Sequence, residues 1–218
     1  MPDEIPGRYA LYWAPQEGSA LARLGGAWLG LGEGSTDAGP PPPIPGFDAS
    51  QIHKLTAEPR RYGLHATLKP PFALAEGTDL SSLRQALAAF TASQASVMLP
   101  ALDALAADCV TRFDRFRAPP RPAELARRRA AALSPVEESH LLRWGYPYVL
   151  DHFRFHVTLT GPLDPAEAER LMPPLIRVFE PVTRAPVTLA DIALFHEPAP
   201  GAPFRLVERF ALQPPSSP

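Results

Sequence analysis

Apolar and polar positions alternate along this chain with two periods, and each predicts a different element. Alternation every second residue marks strands, and apolar residues three and four apart mark helices. Residues 8–14 (RYALYWA) are aromatic and apolar, are closed by Pro15, and predict a first strand. Ser19 is placed to cap a helix with Leu21, Leu24, Trp28 and Leu31 on one face, although Gly25-Gly26 weakens it. Residues 32–46, rich in Gly and Pro, predict a loop with little to bury. Residues 61–68 predict a second strand, stopped by Pro70-Pro71. Thr78 or Asp79 then caps a helix with Leu80, Leu83, Leu87 and Phe90 on one face. Residues 95–105 and 109–116 read as further strands, and residues 122–133 as a helix. Ser134-Pro135 with Glu137 forms a capping box for the next helix, which ends near Gly145. Residues 153–159 read as a strand ended by Gly161-Pro162. A helix capped by Asp164, with Glu167 three residues on, follows with Leu171, Leu175, Val178 and Phe179 inward; Pro173-Pro174 predicts a kink or break in it. Residues 187–195 and 204–212 close the chain as a hairpin.

Within this pattern the chain repeats itself. Leu64-His65-Ala66-Thr67-Leu68-Lys69-Pro70-Pro71-Phe72 matches Phe155-His156-Val157-Thr158-Leu159-Thr160-Gly161-Pro162-Leu163. Each copy is a strand, a Pro-marked turn and a capped helix. Two such halves can pack about a pseudo-two-fold axis, with matching residues facing across a cleft. Strand parity puts His65 with Thr67, and His156 with Thr158, on one face, leaving the intervening apolar residues for the core. Two imidazoles and two hydroxyls suit phosphoryl chemistry. A neutral ring removes a proton from the attacking oxygen, a protonated ring supplies one to the leaving oxygen, and threonine hydroxyls donate to phosphate oxygens. The copies are too alike to say which ring is the base.

These paired His-x-Thr-hydrophobic motifs resemble the two-histidine (2H) phosphoesterase superfamily. The stretch from Arg60 to Phe72, together with Trp144-Gly145-Tyr146-Pro147-Tyr148 and FRFHVTLTGP at 153–162, is similar to a bacterial branch often encoded in phosphonate-utilisation operons. The likeness runs from Arg8 to Leu212. It implies an α+β fold of two pseudo-symmetric lobes of antiparallel sheet forming a central cleft, with helices packed outside. A single two-lobed domain over 1–218 is expected, with lobes of about 1–118 and 119–218 that exchange strands. The resemblance also implies metal-independent cyclic phosphodiesterase activity on a small phosphorylated sugar or nucleotide, with a phosphorylated ribose as a candidate. Processing of RNA 2′,3′-cyclic phosphate ends, or a non-catalytic module that binds a phosphorylated metabolite, are the alternatives.

Composition narrows the partners. The 218 residues carry 21 basic and 23 acidic side chains, a formal net charge of -2, which argues against coating long nucleic acid and leaves short RNA ends as a substrate class. Cys109 is the single cysteine, so neither an internal disulfide nor a thiolate zinc site is expected, and a reducing cytoplasmic location is the default. No apolar run of membrane-spanning length and no signal peptide is visible; oligomeric state is left open. No cofactor and no metal are expected. His152 and His156 stand four apart, a metal-binding spacing on a helix, but on a strand they would lie about 13 Å apart at about 3.3 Å per residue. Lys69, Arg61, Arg154 and Tyr62 flank the motifs as candidate contacts to a second phosphate or a sugar. Tyr9, Tyr12, Trp13 and Tyr146 are candidates to stack on a ligand, weighed against ordinary core packing. Arg127, Arg128 and Arg129 read as a solvated helix face, His53, His140 and His196 as surface or structural, and Cys109 as a buried small residue.

Overall fold

The computed structural model describes residues 7–31, 40–99 and 102–214. Among these, strands β1 (Arg8–Trp13), β2 (Ala66–Phe72), β3 (Val97–Met98), β4 (Thr188–Leu189), β5 (Asp191–Glu197) and β6 (Arg205–Ala211) form two sheets. The larger is antiparallel, in the order β2-β1-β5-β6, so elements from both ends of the chain share it. The smaller is the two-residue pair β3-β4. Helices α1 (Ala20–Leu29), α2 (Ala49–Leu55), α3 (Ala57–Arg60), α4 (Leu80–Thr91), α5 (Asp103–Arg112), α6 (Pro122–Arg129), α7 (Pro135–Trp144) and α8 (Pro165–Thr183) surround them. None is long and apolar enough to cross a membrane.

The predicted caps form, although the box expected of Asp164 and Glu167 is half made: Asp164 accepts from Glu167 N and the Glu167 side chain returns no bond. Ser19 accepts from Ala22 N on α1, Asp79 makes a reciprocal box with Ser82 on α4, and Ser134 makes one with Glu137 on α7, which ends at left-handed Gly145. Each satisfies an orphan amide of the first turn. The one-sided apolar stripes then decide burial. Leu83, Leu87 and Phe90 of α4 join Leu11, Leu68, Phe72, Ile192 and Leu194 of the sheet in the main core. On α8, Leu171, Leu175 and Phe179 pack with Trp28 and Leu29 of α1 in a second core.

Several expectations change. Residues 109–116 are not a strand: α5 runs through Cys109, and a 3-10 turn (Asp114–Phe116) follows. Leu102, Leu105, Ala106, Cys109 and Phe113 are all buried, a helical spacing that outweighs the β-branched residues between them. Among the described residues of 95–105, Val97–Met98 form a strand, Ala95 makes an isolated bridge to Gln213, and α5 begins at Asp103. The expected break at Pro173-Pro174 is absent, and α8 continues through both prolines and Pro181. Burial of Leu171, Leu175 and Phe179, at about 1.5–3 kcal/mol each, works against the cost of the three interior prolines, about 3 kcal/mol each. The second strand starts later than expected, at Ala66, and passes through Pro70-Pro71 to Phe72. A proline lacks a ladder donor, and β2 tolerates two because it is an edge strand. Residues 49–60, not predicted as helical, form α2 and α3. Of the predicted loop, 32–39 lies outside the described residues, while Ile44 is buried against α1 and α8.

The two motif copies are embedded differently. The first leads into the four-stranded sheet. The second, 153–159, pairs with no strand, yet its side chains still alternate: Phe153, Phe155, Val157 and Leu159 are half-buried, and Arg154, His156 and Thr158 are exposed. Intrinsic patterning survives there without the hydrogen-bonded ladder.

Candidate active site

The first histidine is set by a turn and two aromatic walls. Gly63 takes φ +73°, a left-handed conformation that costs glycine little, and this turn delivers Leu64 and His65 to the start of β2. Leu64 lies so close to α1 that a β-carbon on Gly25 would overlap its side chain, which explains the glycine in that helix. The His65 ring stacks 4.0 Å from Tyr12 and 5.8 Å from Tyr62, centroid to centroid. Its Nδ1 lies 2.9 Å from the Gly63 carbonyl oxygen. A carbonyl only accepts, so Nδ1 carries the proton and Nε2 is left with its lone pair. Burial lowers the His65 pKa to about 4, against the raising effect of the Gly63 carbonyl, and His156 is near enough for its charge to lower it further. At neutral pH the ring is uncharged.

Thr67 sits opposite Tyr12 in the β1–β2 register, but Leu11 then pairs with Lys69. One step on β1 matches two on β2, a bulge that turns Lys69 away from the His65 face. Lys69 is buried beside α5, where it donates to the Val110 carbonyl at 3.1 Å and lies 3.8 Å from Asp114. Strand parity alone put it with His65; the bulge puts it in the core.

The second histidine repeats the first one's anchoring. His156 Nδ1 lies 2.7 Å from the Arg154 carbonyl, again two residues back. Beyond it, Trp28 Nε1 donates to the Leu159 carbonyl at 2.8 Å, and Gly161 N donates to the Leu55 carbonyl at 2.7 Å. These two bonds tie the segment to α1 and α2 in place of a strand partner. A cavity of about 370 Å³ brings Thr67 of the first motif together with His156, Arg154, Tyr146, Tyr148 and His152. His65 and Thr158 do not line it. On the opposite face, Phe155, Val157 and Leu159 border an apolar groove with Trp13.

The other candidates separate by their partners. Arg61 lies over the Tyr62 ring and donates to Glu197, which is fully buried, also takes Arg8 at 2.6 Å and accepts from Gly201 N. Tyr62 stacks on Phe204. Tyr9 stacks on His196 and packs on the main core, away from the cavity lining. Arg154 donates to the carbonyls of Asp151 and Phe153, with no carboxylate within 4.0 Å among the described residues. His152 and Tyr148 were not singled out as site residues. His152 stands 5.4 Å from the His140 ring, and His140 approaches Asp151. Leu150, next to them, is a non-glycine residue at φ 54°, a strained position in the cavity wall. Arg129 pairs with Glu138 as a solvated face should, but Arg128 turns in over the Tyr146 ring at 4.5 Å. Burial raises the Tyr146 phenol pKa and Arg128 opposes that rise. Three consecutive arginines look alike in sequence, so nothing there marks the middle one.

Fold and site together define a mixed α+β protein whose cleft is lined by imidazole, hydroxyl and guanidinium groups. The chain belongs to the family described as "Protein of unknown function (DUF1045)", which matches it over residues 67–104 and 97–205. It is also similar to two proteins named "Ribose 1,5-bisphosphate phosphokinase PhnN". One, from Janthinobacterium sp. (strain Marseille), is 38% identical over 90% of this chain and 49% of its own length. The other, from Laribacter hongkongensis (strain HLHK9), is 35% identical over 91% of this chain and 50% of its own length. The chain thus spans about half the length of these curated relatives.

Proposed function

We propose that this chain opens a cyclic phosphodiester on a small phosphorylated ribose, in the manner of the two-histidine phosphoesterases and in the setting of phosphonate utilisation. In this reading, lobes of about 1–118 and 119–218 each contribute one histidine to the cleft. The observation that carries it is the repeated anchoring of the two rings. Each Nδ1 donates to the carbonyl two residues back, at 2.9 Å for His65 and 2.7 Å for His156, leaving both Nε2 atoms as working groups.

The chemistry balances without a further reactant. A water oxygen attacks phosphorus and loses a proton to one neutral Nε2. The bond from phosphorus to one ring oxygen breaks, and that oxygen takes the proton of the other, protonated ring. His65, held neutral by burial, suits the base, and the exposed His156 suits the acid. An arriving phosphate brings negative charge beside His65 and raises its pKa from the value set by burial. Thr67 and Thr158 donate to the non-bridging oxygens, which gain charge in the transition state.

The names of the relatives support the sugar. Opening a 1,2-cyclic phosphate of ribose 5-phosphate at the O2 bond gives ribose 1,5-bisphosphate, the compound in those names. A kinase of the P-loop type needs a glycine-rich phosphate cradle with its lysine. This chain has no G-x-x-x-x-G-K-[S/T], and its two lysines are Lys54 and Lys69. We assign kinase chemistry to the part of the relatives that this chain does not span, and the ring opening that supplies its substrate to this chain.

The test is phosphorus NMR of ribose and nucleoside cyclic phosphates incubated with the protein in EDTA. Turnover of the ribose compound is expected, with a loss of about 10²- to 10⁴-fold in His65→Ala and in His156→Ala. Full activity in either folded variant would falsify the scheme.

A further inference from the structure

Helix α6 is a polar segment with no buried residue, yet one of its arginines is committed inward. Arg127 and Arg129 are exposed, and Arg129 is neutralised by Glu138, with Arg129 Nε to Glu138 Oε1 at 2.9 Å. Arg128 is half-buried, its guanidinium carbon 4.5 Å from the centre of the Tyr146 ring. Its Nε is enclosed and makes no hydrogen bond, and no carboxylate lies within 4.0 Å of it among the described residues. Glu124, one turn earlier on the same helix, bears instead on Arg8. An enclosed, unpaired donor on a charged group is costly, and an aromatic face offsets only part of that cost. An anion at the guanidinium edge would remove that deficit.

The position of Arg128 says which anion. Tyr146, on which it lies, lines the same cavity as Thr67, His156 and Arg154. Among the other cations near the motifs, Arg8 pairs with Glu197, Arg61 does so through a terminal nitrogen while its Nε is enclosed without a partner, Lys69 is held by Val110 and Asp114 in the core, and Arg154 lines the cavity with bonds to backbone carbonyls alone among the described residues. Arg128, over the Tyr146 ring of the cavity wall, is thus a second cation without an acid beside Arg154. A guanidinium seated on an aromatic ring can still offer N–H groups for the parallel hydrogen bonds that a phosphomonoester accepts.

We infer that Arg128, held over Tyr146 by α6, binds a second phosphate on the ligand, a phosphomonoester remote from the ring that reacts. The inference rests on the phosphodiesterase reading for the reacting end of the ligand. The anion site itself stands on the geometry of Arg128 and Tyr146. It makes Arg128 a specificity residue that selects bisphosphorylated sugars over cyclic phosphates lacking the second group.

Calorimetric binding of ribose 5-phosphate and of ribose, which need no turnover, tests the site directly. The proteins are wild type, His65→Ala, Arg128→Met (which keeps the stem over Tyr146), Arg128→Lys and Arg127→Met, each checked for folding by circular dichroism. Wild type, His65→Ala and Arg127→Met are expected to bind ribose 5-phosphate and not ribose. Arg128→Met should weaken that binding about 10- to 100-fold, the range of a lost charge-assisted contact. Arg128→Lys should recover part of it. Undiminished binding by folded Arg128→Met, or equal or absent wild-type binding of the two sugars, overturns the inference. Turnover then separates the two readings. With ribose 1,2-cyclic phosphate as substrate, and with the same compound carrying a 5-phosphate, Arg128→Met should raise KM for the second alone. If the binding pattern holds while neither compound is opened, the phosphodiesterase reading fails and the anion site stands.

Discussion

At the scale of single residues, two basic side chains next to the first motif have opposite fates. His65 precedes β2 and Lys69 lies four residues on within it; His65 sits against Tyr12 and Tyr62, and the bulge between them turns Lys69 into the core. Burial lowers the Lys69 pKa to about 8, with the Asp114 carboxylate opposing that shift. Between pH 8 and the usual lysine value of 10.5, the unfolded chain binds more protons at this position than the folded one, so the Lys69 contribution to stability rises with pH across that window. Below pH 8 the cost of burying the charged form is present in full. Cys109 and Tyr12, whose ionisation burial opposes, act in the reverse sense at the alkaline end, so the comparison with Lys69→Met isolates the lysine. In urea titrations from pH 7 to 10.5, the stability of wild type relative to Lys69→Met is expected to climb by about 3 kcal/mol. A constant difference would mean that the ammonium is hydrated in the folded protein.

At the scale of elements, the position of the first motif depends on how closely α1 approaches it. Gly25 faces Leu64, the residue before His65, and Gly30 closes the helix in the left-handed conformation. Gly25→Ala brings two opposed effects. Helix propensity gains about 1 kcal/mol, and overpacking against Leu64 costs about 1–3 kcal/mol. The clash should win, giving a net loss of up to about 2 kcal/mol by thermal denaturation, with a fall in kcat as the His65 turn is displaced. A more stable Gly25→Ala protein would show that Leu64 moves aside freely. The second motif follows a different rule. Its extended segment has no ladder, and Trp28 and Leu55 hold its far end through two hydrogen bonds to backbone.

Across the whole molecule, Glu197 joins segments that are distant in sequence. Its fully buried carboxylate on β5 takes Arg8 of β1, Arg61 ahead of the first motif and the amide of Gly201 in the β5–β6 turn. Removing it leaves two part-buried arginines without their acid, a loss of about 1–3 kcal/mol. Glu197→Ala is therefore expected to lower the denaturation midpoint strongly and to loosen the Tyr62 wall of His65, seen as a rise in the His65 pKa by NMR titration. If stability drops by less than 1 kcal/mol, water must already reach the carboxylate.

What the sequence by itself determined is the local grammar and the repeat of the His-x-Thr motif. Ser19, Asp79, Ser134 and Asp164 cap helices wherever they occur, because a capping side chain needs only the amides of its own first turn. The duplicated His-x-Thr was legible for a similar reason: alternation puts both residues on one face, even where the strand lacks a partner. Only the tertiary structure decided the rest. The cysteine segment is a helix because its stripe of Leu102, Leu105, Ala106 and Cys109 meets the sheet. Lys69 is buried because a bulge, set by pairing with β1, reverses its parity. Arg128 leaves a solvated run because Tyr146, from the chain beyond α7, lies beneath it. Each of these depends on a neighbour distant in sequence, and a side chain's partner across a fold is not encoded in its own local pattern.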